Sequence, residues 1–382
     1  MKDVLLLGAS GSIGTQSLDI IEKHPDRFCL KGFSLGKRVN MIPAFLSRFP
    51  SVQYVCVQEA EEAEKLRKTH PELRVYHGNE GLKSIVRECP SQMVINALVG
   101  FAGLVPSVTA LQENKILCLA NKESLVVGGA IINRLLAEGH GKLWPIDSEH
   151  VAIAKLLSTI QREELNRVLI TASGGSFRKL NRDQLVGVTP ADALAHPTWS
   201  MGPKITIDSA TMMNKGFEII EADVLFGIGV ERVTPIMHDE SMAHSLLELR
   251  DGTLIADISK PDMHGPIEYA LLEGEVEFIP TKAKTLEEYE GLHFHPFDPE
   301  RYPAVGIALE SHRRGGNSNA ILNAANEEAV YAFLDGRISF LQIEEEVRYA
   351  LGTLPFIREP SLDELIATDA ETRRAVNRHI GG

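Results

Sequence analysis

The chain has few cysteines, no excess of positive charge and no long apolar run. Its four cysteines (Cys29, Cys56, Cys89 and Cys118) include no Cys-x-x-Cys pair and fit buried thiols in a reducing compartment. The net charge of -13 argues against a nucleic-acid-binding surface, although it leaves room for a local basic pocket. No apolar run approaches membrane length, and the N-terminal run is too short for a signal peptide. We therefore expect a cytoplasmic protein that binds neither nucleic acid nor membrane.

Length and composition indicate a globular protein of more than one domain. A chain of 382 residues is too long for one compact core, so two or three domains are expected. The hydrophobic content of 44% and the charged content of 24% are ordinary for a folded protein.

The first motif is a glycine-rich turn between a strand and a helix. The apolar stretch Val4–Leu7 runs into Gly8-Ala9-Ser10-Gly11-Ser12-Ile13-Gly14 and then into a helical pattern. Backbone N–H groups and a helix N-terminus at such a turn can hold a pyrophosphate. The spacing is G-x-x-G-x-x-G instead of the more common G-x-G-x-x-G. A glycine turn without a ligand therefore remains an alternative.

The next strand, around Cys29–Phe33, ends before Gly36-Lys37-Arg38. An NAD-preferring protein usually has an acidic residue here for the ribose 2′-hydroxyl. Two adjacent cations favour the 2′-phosphate of NADPH instead, with ordinary surface charges as the alternative.

Strand and helix patterns then alternate as far as residue 146. Such alternation predicts a doubly wound parallel sheet, an α/β fold of the Rossmann type in which ligands bind beyond the carboxyl ends of the strands. The further strands are predicted at Val52–Val57, Arg74–Tyr76, Met93–Val99, Ile116–Ala120 and Lys142–Ile146, and the helices between them at Glu59–Lys68, Glu80–Glu88, Ala102–Gln112 and Leu125–Ala137.

Two of these strand ends are unusually polar. Asn121-Lys122-Glu123-Ser124 follows one, and Asp147-Ser148-Glu149-His150 follows the next. Asp147 and Glu149 could both give oxygens to Mg²⁺ or Mn²⁺. Capping of a helix N-terminus explains the same residues almost as well, so both interpretations stay open at this point.

The pattern changes after His150, where a mixed α+β region is predicted. Val168–Ala172 enters the small-residue turn Ser173-Gly174-Gly175-Ser176, which could bind a phosphate. A strand at Val233–Met237 and a hairpin around Asp251-Gly252 follow. The content of proline and of charged residues then increases in a segment that is predicted to be a connector. The tail from Gly306 onward is predicted to be helical.

The densest polar stretch runs from His196 to Glu218. We predict a strand at Ile205–Asp208 and a helix from Ser209, so that Asn214, Lys215 and Glu218 share one helix face. An amide, an ammonium and a carboxylate placed together would suit an anionic ligand and a cation.

These motifs, in this order, closely resemble those of the 1-deoxy-D-xylulose 5-phosphate reductoisomerases, and the resemblance extends to Leu322-Asn323-Ala324-Ala325-Asn326-Glu327. It implies an NADPH-binding domain over 1–148, a catalytic domain over 149–273, a connector over 274–303 and a C-terminal helical domain over 304–382. It also implies a homodimer, a sugar phosphate substrate and a place in the methylerythritol phosphate route to isoprenoids.

The resemblance assigns residues to three ligands. Asp147, Glu149 and Glu218 would bind Mg²⁺ or Mn²⁺. NADPH would contact Ser10, Gly11, Ser12, Ile13, Gly36, Lys37, Arg38, Asn121, Glu123 and Gly202. The substrate would contact Lys122, Ser148, Glu149, Ser173, His196, Ser209, Asn214, Lys215 and Glu218, with Trp199 and Met201 on a flap that closes over it. Lys122 and His196 are catalytic candidates together with the metal ligands.

Three positions depart from the family pattern. Ser10 replaces a usual Thr, and Arg38 stands where Asn is common. Met237-His238-Asp239-Glu240-Ser241 replaces a more usual Ile-His-Pro-Gln-Ser, so no catalytic role is assigned to it.

Two other classes of function remain open. A plain NADPH-dependent sugar or semialdehyde dehydrogenase would share the first domain but would not need three carboxylates. An NADPH-sensing module would bind the nucleotide without turnover, because a glycine-rich turn indicates binding and not chemistry.

Overall fold

A computed structural model describes residues 1–195, 199, 201–275 and 290–382. The described chain divides into two compact units. The first contains residues 1–124, 129–147 and a segment that begins at Met263, and the second contains residues 125–128, 148–262 and the C-terminal part.

The first unit is built on a seven-stranded sheet of order β4-β3-β2-β1-β5-β6-β7, in which all paired strands are parallel. This confirms the predicted doubly wound α/β fold. The strands are β1 (Lys2–Leu7), β2 (Phe28–Ser34), β3 (Tyr54–Val57), β4 (Arg74–His77), β5 (Met93–Asn96), β6 (Ile116–Leu119) and β7 (Lys142–Pro145). The helices between them are α1 (Ser12–Lys23), α2 (Ile42–Arg48), α3 (Ala60–Thr69), α4 (Gly78–Glu88), α5 (Leu104–Gln112) and α6 (Lys122–Ala137).

Burial explains why the strands of this sheet are continuous apolar runs. Val4, Leu5, Leu6 and Leu7 of β1 are all fully buried. Helices cover both faces of a parallel sheet, so the side chains that point to either face of each strand are buried. Three of the four cysteines are buried as predicted, and burial raises the pKa of Cys89 to about 11. Cys29 is only half-buried.

The second unit has a mixed five-stranded sheet of order β11-β10-β8-β9-β12. Its strands are β8 (Leu165–Ala172), β9 (Val233–Met237), β10 (Ala243–Leu249), β11 (Leu254–Ile258) and β12 (His295–Pro296). Its first helices are α7 (Ser148–Leu157), α8 (Pro190–Ala193), α9 (Pro203–Thr211) and α10 (Met213–Phe226). Strands β10 and β11 form the predicted antiparallel hairpin around Asp251-Gly252, and β8 pairs with β9 in parallel.

Helix α11 (His264–Leu271) returns to the first unit. Ile267, Ala270 and Leu271 are buried in the same apolar cluster as β1, and the Glu268 carboxylate binds Lys23 and His24 of the α1 segment. The sequence-based division places this segment in the catalytic domain, whereas the structure groups it with the N-terminal sheet.

The C-terminal helices complete the second unit. They are α12 (Pro303–Arg314), α13 (Ser318–Leu334), α14 (Gln342–Thr353) and α15 (Leu362–Gly381), in agreement with the predicted helical tail. Helices α10 and α12 approach closely at Gly216, where an added Cβ would lie 2.7 Å from the Cβ of Ala308. Of the described helices, none combines the length and the apolar character that crossing a membrane requires.

The glycine turn after β1 lies where the order of the sheet reverses, because β1 pairs with β2 on one side and β5 on the other. Gly8 has a φ of 85°, and a Cβ there would lie 2.5 Å from the Ala97 carbonyl oxygen. A Cβ on Gly14 would lie 2.2 Å from the Gly8 oxygen. Only glycine therefore allows this close packing of strand, turn and helix.

We expect Gly8→Ala to lower the free energy of unfolding by about 1–3 kcal/mol, because it adds both a clash and an unfavourable backbone conformation. NADPH affinity should fall in parallel. Chemical denaturation and nucleotide titration measure the two effects. Gly352→Ala is the control, since α14 leaves open space there, and it should be neutral or stabilising by at most about 1 kcal/mol. Equal behaviour of the two variants would contradict the packing argument.

Candidate active site

The N-terminus of α1 and the end of β2 meet in the first unit. Gly11 is the N-cap of α1 without a side-chain cap, and the Gly8 N–H donates to Ser34 Oγ over 2.9 Å. The Arg38 guanidinium donates from Nη1 to the Ser10 carbonyl over 3.0 Å. The structure thus brings the predicted nucleotide residues of the turn together with Arg38. Gly36, Lys37 and Arg38 are all exposed.

Asn121 has its side chain fully engaged within the first unit. Its Oδ1 accepts from the Ser124 N–H over 3.0 Å and caps α6, while its Nδ2 donates to the carbonyls of Leu98 and Gly100 and to the Glu123 carboxylate. These bonds hold the loop after β5 against the start of α6. The predicted NADPH residues Asn121 and Glu123 are therefore buried beside each other. Gly202, predicted for the same ligand, is the N-cap of α9 in the second unit.

A buried ion pair joins the ends of β6 and β7. The Lys122 ammonium lies 2.5 Å from Asp147 Oδ2, and the two side chains are about nine-tenths buried. The Lys122 ammonium therefore places a positive charge directly beside the Asp147 carboxylate. The sequence analysis selected both residues because each follows a predicted strand. In the structure these strands, β6 and β7, are paired in parallel, so their ends bring the two side chains together.

In the second unit, two carboxylates converge on one ammonium. Lys215 Nζ lies 3.0 Å from Glu149 Oε1 and also contacts Glu218 Oε2. One carboxylate oxygen of Glu149 and one of Glu218 lie within 4.8 Å of each other. Lys215 is 3% exposed and Glu218 2%, so little water screens these charges.

Neighbouring side chains complete this group. Asn214 Nδ2 donates to Glu218 Oε1 over 2.5 Å, and Ser148 Oγ donates to Glu149 Oε2 over 2.6 Å. Asn214, Lys215 and Glu218 share one face of α10, as the sequence predicts, but this helix begins at Met213 and not at Ser209, which lies in α9.

The predicted strand at Ile205–Asp208 is wrong, because these residues lie within α9. Pro203 at the first helical turn fixes a helical φ, which starts the helix before the β-branched residues. The buried face of α9 carries Lys204, Ile207, Asp208 and Thr211. Polar residues occupy most of this face, so an apolar helical period was not visible in the sequence.

The Ser173 turn packs directly on α9. Gly175 has a φ of 66°, and a Cβ there would lie 2.7 Å from backbone atoms of Ser209 and Ala210. A single residue, Met212 with a φ of 66°, then separates α9 from α10. The four residues predicted to bind phosphate, Ser173, Ser209, Asn214 and Lys215, therefore lie on a turn and two consecutive helices that pack together.

Two residues to which the sequence assigned no role hold the backbone of this group. His150 Nε2 donates to the Glu218 carbonyl over 2.9 Å, and Ser245 Oγ donates to the Glu149 carbonyl over 3.1 Å. His150 directly follows Glu149 in the polar motif after β7, which is its sequence signal. Ser245 belongs to β10 and has no local sequence signal.

Comparisons with known proteins agree with this architecture. Sequence profiles match at residues 4–129 (1-deoxy-D-xylulose 5-phosphate reductoisomerase), 143–226 (its C-terminal domain) and 258–375 (DXP reductoisomerase C-terminal domain). The 1-deoxy-D-xylulose 5-phosphate reductoisomerase of Geobacillus sp. is 48% identical over 98% of this chain and 99% of its own. The chain belongs to this family.

Solved structures of reductoisomerases share the fold. The Zymomonas mobilis reductoisomerase in complex with NADPH is 34% identical, with a TM-score of 0.89 over 99% of each chain. A reductoisomerase in complex with NADPH, fosmidomycin and magnesium is 33% identical, with a TM-score of 0.91 over 100% of this chain and 98% of its own.

Part of the predicted flap falls outside the described residues. His196 lies there, together with residues 197, 198 and 200, so its predicted substrate contact and proton transfer stay predictions. Trp199 and Met201 are half-buried.

The segment at 237–241, which departs from the usual reductoisomerase pattern, has its own set of partners. The Arg178 guanidinium donates to the Asp239 carbonyl over 3.1 Å. Glu240 lies 3.0 Å from His238 Nδ1 and 2.8 Å from His293 Nδ1. Both acidic residues that replace the usual neutral ones therefore have a cationic or protonatable neighbour. The hydrogen bond to Glu240 raises the pKa of the His293 imidazole.

We expect the His293–Glu240 contact to weaken at high pH. Because the folded-state pKa of His293 is raised above its ordinary value of about 6.5, the contact stabilises the fold fully below that value. The stabilisation is lost as the pH rises through the raised pKa. An NMR titration of His293 should give a lower pKa in Glu240→Gln than in the unsubstituted chain. An unchanged pKa would remove Glu240 as the cause.

Proposed function

We propose that the chain carries out the reductoisomerase reaction with Asp147, Glu149 and Glu218 as the ligands of a divalent metal. The reaction converts 1-deoxy-D-xylulose 5-phosphate to 2-C-methyl-D-erythritol 4-phosphate in the methylerythritol phosphate pathway and requires NADPH and a divalent cation. The observation that carries the proposal is the convergence of the half-buried Glu149 carboxylate and the buried Glu218 carboxylate on one cation. A plain dehydrogenase has no need for such a group.

The donor set fits Mg²⁺ or Mn²⁺. Glu149 and Glu218 offer carboxylate oxygens within 4.8 Å of each other, and Asp147 precedes Glu149 by two residues in the chain. Hard divalent cations prefer such oxygens, and the group contains no thiolate or imidazole that would favour zinc. A bound metal would supply Lewis-acid stabilisation of charge that develops on neighbouring substrate oxygens.

Lys215 links the metal ligands to the phosphate residues. Its ammonium contacts Glu149 and Glu218, and it stands next to Asn214 at the start of α10. With a divalent metal held by Glu149 and Glu218, the Lys215 ammonium would be available to the substrate phosphate. Binding of metal and of substrate phosphate would then support each other through this one side chain.

The remaining substrate residues would position the sugar phosphate. Ser173, Ser209 and Asn214 offer neutral donors to the phosphate, which lies away from the reacting carbons. Binding energy from this remote group can close the flap with Trp199 and Met201 and exclude water. Ser148 holds the Glu149 carboxylate. Lys122, paired with Asp147, would orient the reacting oxygens, and we assign it a positional role.

The nucleotide would bind at the glycine turn of the first unit. The first turn of α1 and the Arg38 guanidinium meet there, so the pyrophosphate and the 2′-phosphate both have donors. NADPH would supply the hydride that reduces the branched aldehyde formed by the rearrangement.

Turnover tests the proposed function. The purified chain is mixed with 1-deoxy-D-xylulose 5-phosphate, NADPH and Mg²⁺ or Mn²⁺, and the loss of nicotinamide absorbance is followed. We expect that NADPH is oxidised, that addition of EDTA stops this oxidation, and that excess metal restores it. Oxidation that survives full chelation would favour a plain dehydrogenase, and nucleotide binding without turnover would favour a sensing module.

We expect Glu218→Gln to lower kcat roughly 10³-fold or more, because the amide removes one charged metal ligand while keeping the shape of the side chain. Steady-state kinetics at saturating metal measures the effect. Glu231→Gln, which alters an exposed carboxylate paired with Arg313, is the control and should leave kcat unchanged. Near-normal turnover of Glu218→Gln would show that this residue is not a metal ligand.

We expect Arg38→Ala to raise the KM for NADPH about tenfold or more and to leave the KM for NADH nearly unchanged. The guanidinium would bind the 2′-phosphate, which NADH lacks, and a charge-assisted bond of this kind contributes about 1.5–3 kcal/mol. Parallel kinetics with the two nucleotides gives the ratio. An equal rise for both would place Arg38 outside the 2′-phosphate site.

The family resemblance supports a proposal on the oligomeric state and the location. We propose a homodimer located in the cytoplasm. Light scattering coupled to gel filtration should give twice the mass of 42.0 kDa, and a single-chain mass would contradict the dimer.

A further inference from the structure

Helix α9 contains an ion pair that is almost completely buried. Lys204 Nζ lies 2.7 Å from Asp208 Oδ2, and the side chains are 4% and 3% exposed. The same ammonium lies 5.4 Å from the centre of the Phe217 ring. Removing two charges from water costs about as much as their attraction returns, so such a pair is weak evidence for stability. The alternative explanation for this buried pair is that it fixes the local geometry of α9.

A residue far along the chain completes the surroundings of Asp208. Asn326 Nδ2, on α13, donates to Asp208 Oδ1 over 2.8 Å. Asn326 is fully buried and belongs to the Leu322–Glu327 motif, to which the proposed mechanism gives no role. Each oxygen of the Asp208 carboxylate therefore has a separate partner, the Lys204 ammonium on one side and the Asn326 amide on the other. The carboxylate is held in two directions.

Asp208 lies next to the residues that are proposed to bind the substrate phosphate. Asp208 directly precedes Ser209, whose backbone packs against Gly175 of the Ser173 turn. The Thr211 hydroxyl then donates to the Asp208 carbonyl over 3.2 Å and accepts from the Met213 N–H over 3.2 Å, so it connects α9 to α10. A rotation of α9 about its axis would move Ser209 relative to the Ser173 turn and to the start of α10.

We propose that Asn326 is a positioning residue that acts through Asp208 to hold Ser209 in place for the substrate phosphate. The C-terminal helices would in this way set the geometry of a binding residue that they do not themselves contribute. The inference rests on the proposed function in one respect, the assignment of Ser209 to the phosphate.

The first test is Asn326→Leu, which keeps a side chain of similar length but cannot donate to Asp208. We expect the KM for the sugar phosphate to rise about tenfold, as for loss of a hydrogen bond to a charged group, with the KM for NADPH unchanged. Asn323→Leu is the matched control. Asn323 is equally buried on α13, and its amide has no hydrogen-bond partner among the described residues. It should leave both KM values unchanged.

The second test is a double-mutant cycle with Ser209→Ala. If Asn326 acts through Ser209, Asn326→Leu should change the KM by less than about twofold once the Ser209 hydroxyl is absent. The same tenfold factor in both backgrounds, or an equal effect from Asn323→Leu, would overturn the proposal and leave a purely structural role. If Asn326→Leu does not fold, Asn326→Ala removes the same donor and gives the same cycle.

Binding of inorganic phosphate tests this inference independently of the proposed function. Calorimetric titration of the four proteins of the cycle with inorganic phosphate needs no turnover, and the same non-additivity is expected in the dissociation constants. Absence of turnover in the unsubstituted chain would count against the proposed function alone. Additive effects on phosphate binding would count against the role of Asn326.

Discussion

The contact on which the second unit depends is the Lys215 ammonium between the carboxylates of Glu149 and Glu218. One carboxylate oxygen of the half-buried Glu149 and one of the buried Glu218 lie within 4.8 Å of each other, and two negative charges this close repel each other unless a cation compensates them. The chain provides one cation of its own and leaves oxygens that suit a divalent metal. The position of α10 relative to α7 therefore has an electrostatic reason as well as an apolar one.

The surrounding structure keeps these groups in place. His150 and Ser245 bind the backbone carbonyls of the two glutamates, so the side chains start from fixed points. On the other side of α10, Phe217 and Ile220 pack with Ile307, Ile321 and Val347 of the C-terminal helices. A site built on helices that are packed on both sides can hold its geometry to the precision that chelation and hydride transfer need.

The sequence predicted the features that have a short-range signal. Buried strands appear as apolar runs, so the parallel sheet and the hairpin around Asp251-Gly252 were found close to their observed bounds. Asp147 and Lys122 were selected because residues after parallel strands meet at one edge of the sheet. The strand predicted at Ile205–Asp208 failed because α9 buries charged residues, which reverses the usual relation between polarity and exposure.

Long-range contacts could not be predicted in this way. The bond between Asn326 and Asp208 joins residues 118 positions apart, and the one between Ser245 and Glu149 joins residues 96 apart. Helix α11 returns to the first unit through apolar residues that resemble those of any amphipathic helix. Such contacts depend on how the elements pack, and no local pattern indicates them.

The central claim is that Glu149 and Glu218 hold a divalent cation, and Mn²⁺ binding measured by electron paramagnetic resonance tests it most directly. The metal-free chain is titrated with Mn²⁺ beside a double variant, Glu149→Gln with Glu218→Gln, whose fold is checked by circular dichroism. The result expected is one tight Mn²⁺ per chain that the double variant loses. Binding of the same stoichiometry and affinity to the double variant would contradict the claim.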